Sequence, residues 1–264
     1  MEVGLTLVVD IGNTRTKCGL FRGHRLVRTF VVPGNDASLL ATALIGPAPE
    51  AIVVGSVARQ DDPVVDLLCG IAPVLEVKGD SSVPIKNSYS TRHTLGVDRL
   101  ANAVGAHFLF PDRPVLVIDA GTCITYDLVD AGGVYAGGAI SPGASMRARS
   151  LHAYSARLPL VVPQEAPALL GTDTEGSIQA GIHHGIVSEM HGMIEAHGQH
   201  RSSMAVTITG GDAVRYTRAL KSGIFAHPYL TLLGLYAILI HDRGRLGTAA
   251  SLGAGAGKGP GATG

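Results

Sequence analysis

The chain has 264 residues, of which 46% are apolar and 16% are charged, and its mean hydropathy is +0.28. This composition can bury a substantial core, which excludes a disordered polymer, and the length allows one large domain or two lobes with a cleft. Lysine and arginine together number 21, as do aspartate and glutamate, so the formal net charge is zero. Neutrality argues against a protein that binds nucleic acid or a membrane surface mainly through charge.

The cysteines and the apolar segments indicate the cellular compartment of the protein. Cys18, Cys69 and Cys123 are odd in number and form no CxxC pair, which predicts a reduced, cytoplasmic protein without a disulfide or zinc framework. The first ten residues contain no basic cluster, so we expect no signal peptide. The longest apolar run, residues 229–240, has 12 residues and predicts a core helix, since a membrane span needs about 20.

The first half of the chain predicts the element order βββαβαβ. Short apolar runs separated by glycine turns indicate an antiparallel meander, and two acids followed by a proline mark the start of the second helix. The predicted strands are residues 5–10, 17–21, 26–32, 51–54 and 71–77, and the predicted helices run from about 37 to 45 and from about 61 onward.

The second half again begins with a three-stranded meander that is followed by helices. Its predicted strands are residues 115–119, 124–129, 134–140 and 204–209, and its predicted helices are 141–154, 174–197, 213–221 and 229–240. Ser141 as N-cap and Pro142 at the first helical position would begin the first of these helices. Apolar residues recur at helical spacing from Ile178 to Met190, which predicts a core-facing side for the second.

One short sequence is present twice. VVDIGNT at residues 8–14 matches VIDAGT at 117–122, and in each copy an apolar strand ends in aspartate, followed by glycine and a hydroxyl-bearing residue. A repeat of this size predicts an α/β protein of two duplicated lobes whose turns face each other across a cleft. We place the lobes at residues 1–112 and 113–250 and expect the Gly/Ala-rich tail, 251–264, to be disordered.

A turn of aspartate, glycine and threonine, such as DIGNT or DAGT, has the chemistry of a phosphate site. Glycine lets the backbone approach a phosphate, neighbouring N–H groups and hydroxyls donate hydrogen bonds, and the aspartate can hold a hydrated Mg²⁺. A single copy is more often a hairpin that happens to end in an acid. Two copies, together with TGGDA at residues 209–213, favour phosphate binding.

The motifs, taken in order, resemble those of type III pantothenate kinase. The resemblance extends from the first strand to about residue 240, and GVDR followed by DAGT and QAGI is its most specific part. It implies a pair of ribonuclease H-like lobes, as in the acetate and sugar kinase, Hsp70 and actin superfamily. The matching segments are DIGNTRTK (10–17), GVDRLANAVGA (96–106), DAGTCITYD (119–127), GGAISPG (137–143), SARLP (155–159), GTDTEGSIQAGI (171–182) and TGGDA.

The resemblance implies ATP-dependent phosphorylation of pantothenate to 4′-phosphopantothenate, the first step of coenzyme A biosynthesis, by a cytoplasmic homodimer. Asp98 would be the general base, Asp119 would bind K⁺ or NH₄⁺, and Asp10 would lie on the Mg²⁺ side of ATP. The residues implied to bind ATP are Asp10, Ile11, Gly12, Asn13, Thr14, Arg15, Thr16, Lys17 and Thr122. The residues implied to bind pantothenate are Tyr89, Gly96, Val97, Asp98, Arg99 and Thr174. Thr174 would come either from the same chain or from the partner subunit of the dimer.

These residue types suit the reaction. A primary alcohol is a weak nucleophile, so a carboxylate such as Asp98 is needed to orient it and accept its proton. Lys17 and bound cations can neutralise the transferred phosphoryl group. Arg99 can pair with the carboxylate of pantothenate or position Asp98.

Plainer interpretations stand beside several of these assignments. Asp98 can be a helix-start acid next to a surface Arg99, and Asp119 a strand-end acid that accepts a turn N–H. Thr174 can cap its helix, and Tyr89 can be a packed loop aromatic.

Other segments resemble sites but fit ordinary structure better. His183, His184 and His191 match no metal-binding spacing, and Cys18 and Cys123 read as small core residues. GAGAGKG in the tail does not match a phosphate loop, because Leu252 stands where the first glycine is required and Gly259 where a serine or threonine is required. Met146, Arg147 and Arg149 indicate an amphipathic surface. Two alternative functions are a non-catalytic regulator on the same fold and a sugar or carboxylate kinase of the same superfamily.

Overall fold

The computed structural model describes residues 4–12, 14–56, 62–199, 201, 203–220 and 223–255, with side chains through residue 245. These residues form two compact units, each assembled from separate stretches of chain. Unit 1 contains the described residues of Met1–Pro84, Thr91–Gly105 and Thr231–Gly264, and unit 2 contains those of Ile85–Ser90 and Ala106–Leu230. Relative to the predicted lobes 1–112 and 113–250, the last helix belongs to unit 1, and residues 85–90 and 106–112 belong to unit 2.

The elements are numbered in chain order. The strands are β1 (Leu5–Ile11), β2 (Arg15–Arg22), β3 (Arg25–Pro33), β4 (Ala51–Ser56), β5 (Val74–Val77), β6 (Lys86–Asn87), β7 (Val115–Ala120), β8 (Cys123–Val129), β9 (Val134–Pro142), β10 (Ala205–Thr209) and β11 (Ile224–Ala226). The helices are α1 (Ala37–Ala43), α2 (Pro63–Cys69), α3 (Val97–Leu109), α4 (Ala144–Ala153), α5 (Thr174–Gly198), α6 (Ala213–Thr217) and α7 (Leu230–Gly255).

The sheet of unit 1 has the strand order β3-β2-β1-β4-β5. Its central strand, β1, is antiparallel to β2 and parallel to β4. Because both faces of β1 are covered, its residues are buried except for Asp10, which is partly exposed at the carboxyl end. The predicted start of α2 is confirmed, since Pro63 is its first residue and the Asp62 carboxylate accepts the N–H of Val64.

The last helix is part of the core of unit 1. The Tyr236 ring of α7 stacks on Phe21 of β2, with ring centroids 4.3 Å apart, and its hydroxyl donates to the carbonyl of Gly23 at 2.5 Å. Leu235 packs against Gly55 of β4 so closely that a Cβ added there would lie 2.9 Å from its methyl group. Unit 1 is therefore completed by residues from the far end of the chain.

Unit 2 repeats the connectivity of unit 1. Its strand order is β11-β10-β7-β8-β9-β6, in which β7 takes the place of β1 and β10 that of β4. The predicted α/β class, the internal duplication and the order βββαβαβ of the first seven elements are thus confirmed, whereas β6, α3 and β11 were not predicted. The face of α5 from Ile178 to Met190 is buried in the core of this unit, as its spacing predicts.

The predicted start of α4 is wrong. Ser141 and Pro142 continue β9 and pair with Ile124 and Cys123 of β8, so the helix begins at Ala144 with Gly143 as its N-cap. The Ser141 hydroxyl donates to a side chain of α5 instead of capping α4. Long-range strand pairing therefore overrides the local capping signal.

The final helix is longer than predicted. α7 ends at Gly255, five residues into the segment predicted as a tail, whereas residues 256–264 lie outside the described residues. None of the helices described for this chain is both long enough and apolar enough to cross a membrane.

Candidate active site

The first Asp-Gly-Thr segment forms the hairpin between β1 and β2. Asp10 lies opposite Lys17 of β2 and Gly55 of β4. Gly12 closes the turn by donating its N–H to the Arg15 carbonyl at 3.1 Å. Residues opposite each other on paired strands share a face, so the Lys17 ammonium lies on the same side of the sheet as the Asp10 carboxylate.

Not every side chain of the predicted ATP segment faces outward. Ile11 is 1% exposed, and the Thr16 hydroxyl is buried and donates to the Gly34 carbonyl at 2.9 Å. Thr14 and Arg15 are exposed, whereas Asn13 lies outside the described residues. Ile11 can therefore contact a ligand only through its backbone atoms. The Thr16 hydroxyl is already used in its hydrogen bond to Gly34.

Asp98 lies at the start of α3, also in unit 1. Its Oδ1 accepts the Arg99 N–H at 2.8 Å, and a Cβ placed on Gly96 would lie 2.5 Å from that oxygen. Val97 packs over Gly55, where a Cβ would lie 3.0 Å from its side chain, and Gly55 is the register partner of Asp10. Unit 1 thus brings the start of α3 to the strand ends that carry Asp10.

Arg99 is not the surface arginine of the plainer interpretation. Its residue surface is only 5% exposed, and Val97 beside it is buried as well. Burial of a guanidinium is costly unless acceptors surround it, so Arg99 has a structural or ligand-binding role within this part of α3.

The second Asp-Gly-Thr segment forms an equivalent hairpin in unit 2. Gly121 donates its N–H to the Cys123 carbonyl at 2.9 Å, as Gly12 does to Arg15. In both turns the acceptor is the residue that follows the threonine. The duplication therefore includes the hydrogen bond that shapes the turn.

The TGGDA segment packs directly on this second turn. Gly210 has φ +97°, and a Cβ there would lie 2.4 Å from Asp119 Oδ1 and 2.2 Å from the Ala120 carbonyl oxygen. Asp212 donates its N–H to the same Ala120 carbonyl at 2.9 Å. Glycine is required at 210 by both conformation and space, which lets the two motifs meet at the ends of β7 and β10.

Two threonines that the sequence analysis did not select flank Asp119. Thr125 of β8 and Thr209 of β10 are its register partners on either side. They are 8% and 1% exposed, and neither hydroxyl has a hydrogen-bond partner among the described residues. Asp119 therefore lies in a row of three oxygen-bearing side chains, two of them buried hydroxyls whose hydrogen-bonding capacity is unused.

Tyr89 and Thr174 both lie in unit 2. The half-buried Tyr89 ring stacks near Tyr135, with centroids 6.1 Å apart, as a packed loop aromatic does. Thr174 is exposed and does not cap α5, because Asp173 is the N-cap and accepts the Gly176 N–H at 2.7 Å. Thr174 lines a cavity of about 720 Å³ together with Leu151, Leu158, Gly171, Thr172, Asp173, Ser177, Ile178 and Gly181.

His183 and Cys18 are buried, and that burial shifts the pKa of each side chain. Among the described residues, no group of three or more His, Cys, Asp or Glu side chains could hold a metal ion. Burial lowers the pKa of His183, with added repulsion from His184 and Arg215. Burial, with the nearby Asp10 charge, raises the pKa of the Cys18 thiol to about 12, so it is protonated and unreactive at neutral pH.

A polar cluster centred on Glu189 was missed by the sequence analysis. The carboxylate accepts hydrogen bonds from Tyr126 at 2.8 Å, Ser141 at 3.0 Å and Arg147 at 2.5 Å. Arg147 is therefore ion-paired and half-buried, which corrects its assignment to an amphipathic surface. Burial alone would raise the pKa of Glu189, but its hydrogen-bond donors and the Arg147 charge lower it below the ordinary value.

Solved structures with a similar fold support the two-unit α/β architecture. A protein described as a Baf family transcriptional activator from Campylobacter jejuni superposes with a TM-score of 0.60 at 18% identity, covering 90% of this chain and 99% of that one. The ethanolamine utilization protein EutJ from Carboxydothermus hydrogenoformans has a TM-score of 0.52 at 14% identity, covering 89% of each chain. At these identities the likeness concerns the fold alone.

Sequence comparison is more specific. A family model for type III pantothenate kinase matches residues 6–196. A type III pantothenate kinase from Christiangramia forsetii is 40% identical over 237 residues, 89% of this chain and 98% of the relative. Another, from Bacteroides fragilis, is 41% identical over 244 residues, 92% of this chain and 100% of the relative. The chain therefore belongs to the type III pantothenate kinase family, as its ordered motifs predicted.

Proposed function

We propose that this protein phosphorylates pantothenate with ATP to give 4′-phosphopantothenate, the first step of coenzyme A biosynthesis. Family membership over nearly the whole chain is the observation that carries the proposal. The two equivalent turns, each closed by a glycine N–H, support a protein that binds a polyphosphate.

Asp98 is assigned as the general base. Its carboxylate accepts the Arg99 N–H at the start of α3, which restricts its orientation. As the pantothenate hydroxyl oxygen forms its bond to the γ-phosphorus, Asp98 accepts the hydroxyl proton, and the bond from γ-phosphorus to the bridging oxygen breaks to release ADP. Arg99 either pairs with the pantothenate carboxylate or positions Asp98, and its burial supports the second role. Tyr89, Gly96, Val97 and Thr174 are assigned to the pantothenate pocket.

ATP binding is assigned to residues 10–17 of unit 1 and to Thr122 of unit 2. Asp10 and Lys17 share a face of the unit 1 sheet, which suits an acid that holds hydrated Mg²⁺ beside a cation that neutralises phosphate. Thr14 and Arg15 add exposed donors at the turn, and the glycine lets the backbone approach the phosphates.

A monovalent cation is assigned to Asp119. K⁺ and NH₄⁺ are satisfied by carboxylate and hydroxyl oxygens, and the unpartnered hydroxyls of Thr125 and Thr209 on either side of Asp119 fit that requirement. When bound, the cation supplies positive charge for the phosphates of ATP. Thr209 and Thr125 are thus added to the residues that would hold it.

We further assign the protein to the cytoplasm, and we assign it a homodimeric state. All three cysteines are free thiols, which suits a reducing compartment. The segment from α4 to α5 exposes an unusual number of large apolar residues, including Tyr154 at 92%, Val162 at 84% and Leu170 at 80%. Exposed apolar side chains of this kind support contact with a second copy, and Leu151 and Leu158 of the same segment line the cavity that contains Thr174.

The first test measures ADP release with and without pantothenate in K⁺ buffer. We expect ADP formation only with pantothenate, and we expect Asp98→Asn to lower kcat by about 10²- to 10⁴-fold while ATP binding is retained. Turnover with a sugar or carboxylate instead, or none with any acceptor, would support the alternative functions. A wild-type rate in the asparagine variant would remove Asp98 as base.

Gly96→Ala tests the position of the Asp98 carboxylate. The new Cβ would lie 2.5 Å from Asp98 Oδ1, so the flexible end of that side chain must move while the fold is retained. A displacement on the order of 1 Å predicts a loss of about 10²-fold in kcat without a matching loss of Tm. Gly192→Ala, in α5 with open space around it, is the matched control. Equal kcat in the two variants would contradict the assignment.

Exchange of K⁺ for Na⁺ at constant ionic strength tests the cation site. We expect lower activity in Na⁺, and we expect Thr209→Val, which removes a hydroxyl and keeps the shape, to raise the K⁺ concentration for half-activation several-fold. The measurement is a titration of kcat against each cation. Identical curves in both salts, or an unchanged K⁺ requirement in the valine variant, would argue against this assignment.

Sedimentation measures the dimer. We expect twice the 27.2 kDa chain mass for the wild type, a monomer for Val162→Glu, and no change for Val31→Glu, an exposed valine of β3.

If Thr174 acts across the dimer, mixing Asp98→Asn and Thr174→Val chains restores about a quarter of wild-type activity, since half of the dimers are mixed and each has one intact site. No restoration would place Thr174 in the same chain as its Asp98.

A further inference from the structure

We propose that Glu189 is a positioning residue for ATP binding, which acts through Arg147 to hold the turn that contains Thr122. The inference rests on the proposed role of Thr122 at ATP, and it concerns residues of unit 2 only. Its basis is a continuous set of hydrogen bonds from α5 to the turn between β7 and β8.

The first link joins α5 to the end of β9. Arg147 Nη2 donates to Glu189 Oε2 at 2.5 Å and to Ser141 Oγ at 3.1 Å, while its Nε donates to the Pro142 carbonyl at 2.9 Å. One planar guanidinium thus binds a carboxylate and two successive residues of β9. Only arginine offers donors in this fixed arrangement.

The second link joins β9 to the nucleotide turn. Gly143, which follows Pro142, donates its N–H to the Thr122 carbonyl at 3.1 Å. The two backbones are so close that a Cβ on Gly143 would lie 2.1 Å from the Gly121 carbonyl oxygen and 2.6 Å from that of Thr122. A shift of Pro142 is therefore transmitted to Thr122 with no intervening space to absorb it.

The third link joins α5 to β8, the strand that follows the turn. Tyr126 of β8, four residues after Thr122, donates its hydroxyl to Glu189 Oε1 at 2.8 Å. The two oxygens of one carboxylate thus contact β8, which follows the turn, and β9, whose end is bonded to the turn through Gly143. Glu189 and Arg147 are half-buried, with side chains 28% and 22% exposed, which shields their ion pair from part of the solvent screening.

The proposal is tested by measuring the Kd for ATP calorimetrically alongside kcat and both KM values. Glu189→Gln keeps the size of the side chain but turns an N–H₂ group or a neutral oxygen towards Arg147. We expect the Kd and KM for ATP to rise about tenfold, the size of effect given by loss of one charge-assisted hydrogen bond, with the KM for pantothenate within about twofold. Glu195→Gln, on the exposed side of the same helix, is the matched control.

Two further variants separate positioning from general stability. Arg147→Lys keeps the charge but has one nitrogen in place of the separate Nε and Nη2 that bind Pro142 and Glu189, so we expect most of the tenfold loss of ATP affinity to persist. In the double variant with Thr122→Val and Glu189→Gln, we expect the Kd for ATP to rise by less than the product of the two single effects, because both substitutions act on one turn. The thermal midpoint of each variant is recorded in parallel.

Three results would overturn the proposal: an unchanged Kd for ATP in Glu189→Gln, equal losses for ATP and pantothenate that follow a drop in Tm, or full additivity with Thr122→Val. Measurements on the wild type distinguish failure of the proposed function from failure of the Glu189 proposal. If it binds ATP without phosphorylating pantothenate, the function is wrong and the Glu189 test continues on the Kd for ATP. If the wild type does not bind ATP, both fail.

Discussion

The arrangement of each unit depends on one pairing, between a central strand and a parallel neighbour. In unit 1 this is β1 with β4, and in unit 2 it is β7 with β10. Parallel strands end at the same edge of a sheet, so the residues after both strands must converge there. The buried apolar strand fixes the edge, and the acid one residue before its end, Asp10 or Asp119, is placed by the core behind it.

Much of this was predictable because it is encoded locally. The two aspartate-glycine-threonine segments, DIGNT and DAGT, the apolar strands before them and the 3.6-residue spacing of α5 indicate fold class and duplication without tertiary information. The order of the motifs indicated the family. Local chemistry also predicted the start of α2, where Asp62 and Pro63 act within two residues of each other.

The remaining features depend on contacts between distant parts of the chain. Arg147 and Glu189 are 42 residues apart, and nothing in either neighbourhood predicts that they pair. Thr125 and Thr209 are aligned with Asp119 only by strand register, which a one-residue slip would destroy. Ser141 and Pro142 carried a valid helix-start pattern, but pairing with β8 and the bond to Glu189 satisfied those residues differently.

The contribution of α7 to unit 1 has a consequence for biosynthesis. β1 to β5 are synthesised first, yet Leu235 and Tyr236, which cover Gly55 and Phe21, are synthesised only after every strand of unit 2. Until then the N-terminal sheet has an uncovered apolar face, whereas every strand of unit 2 and the helix α5 have already been made. Although its strands β1 to β5 precede those of unit 2, unit 1 is the later of the two to be completed, so its sheet stays partly uncovered for longer during synthesis.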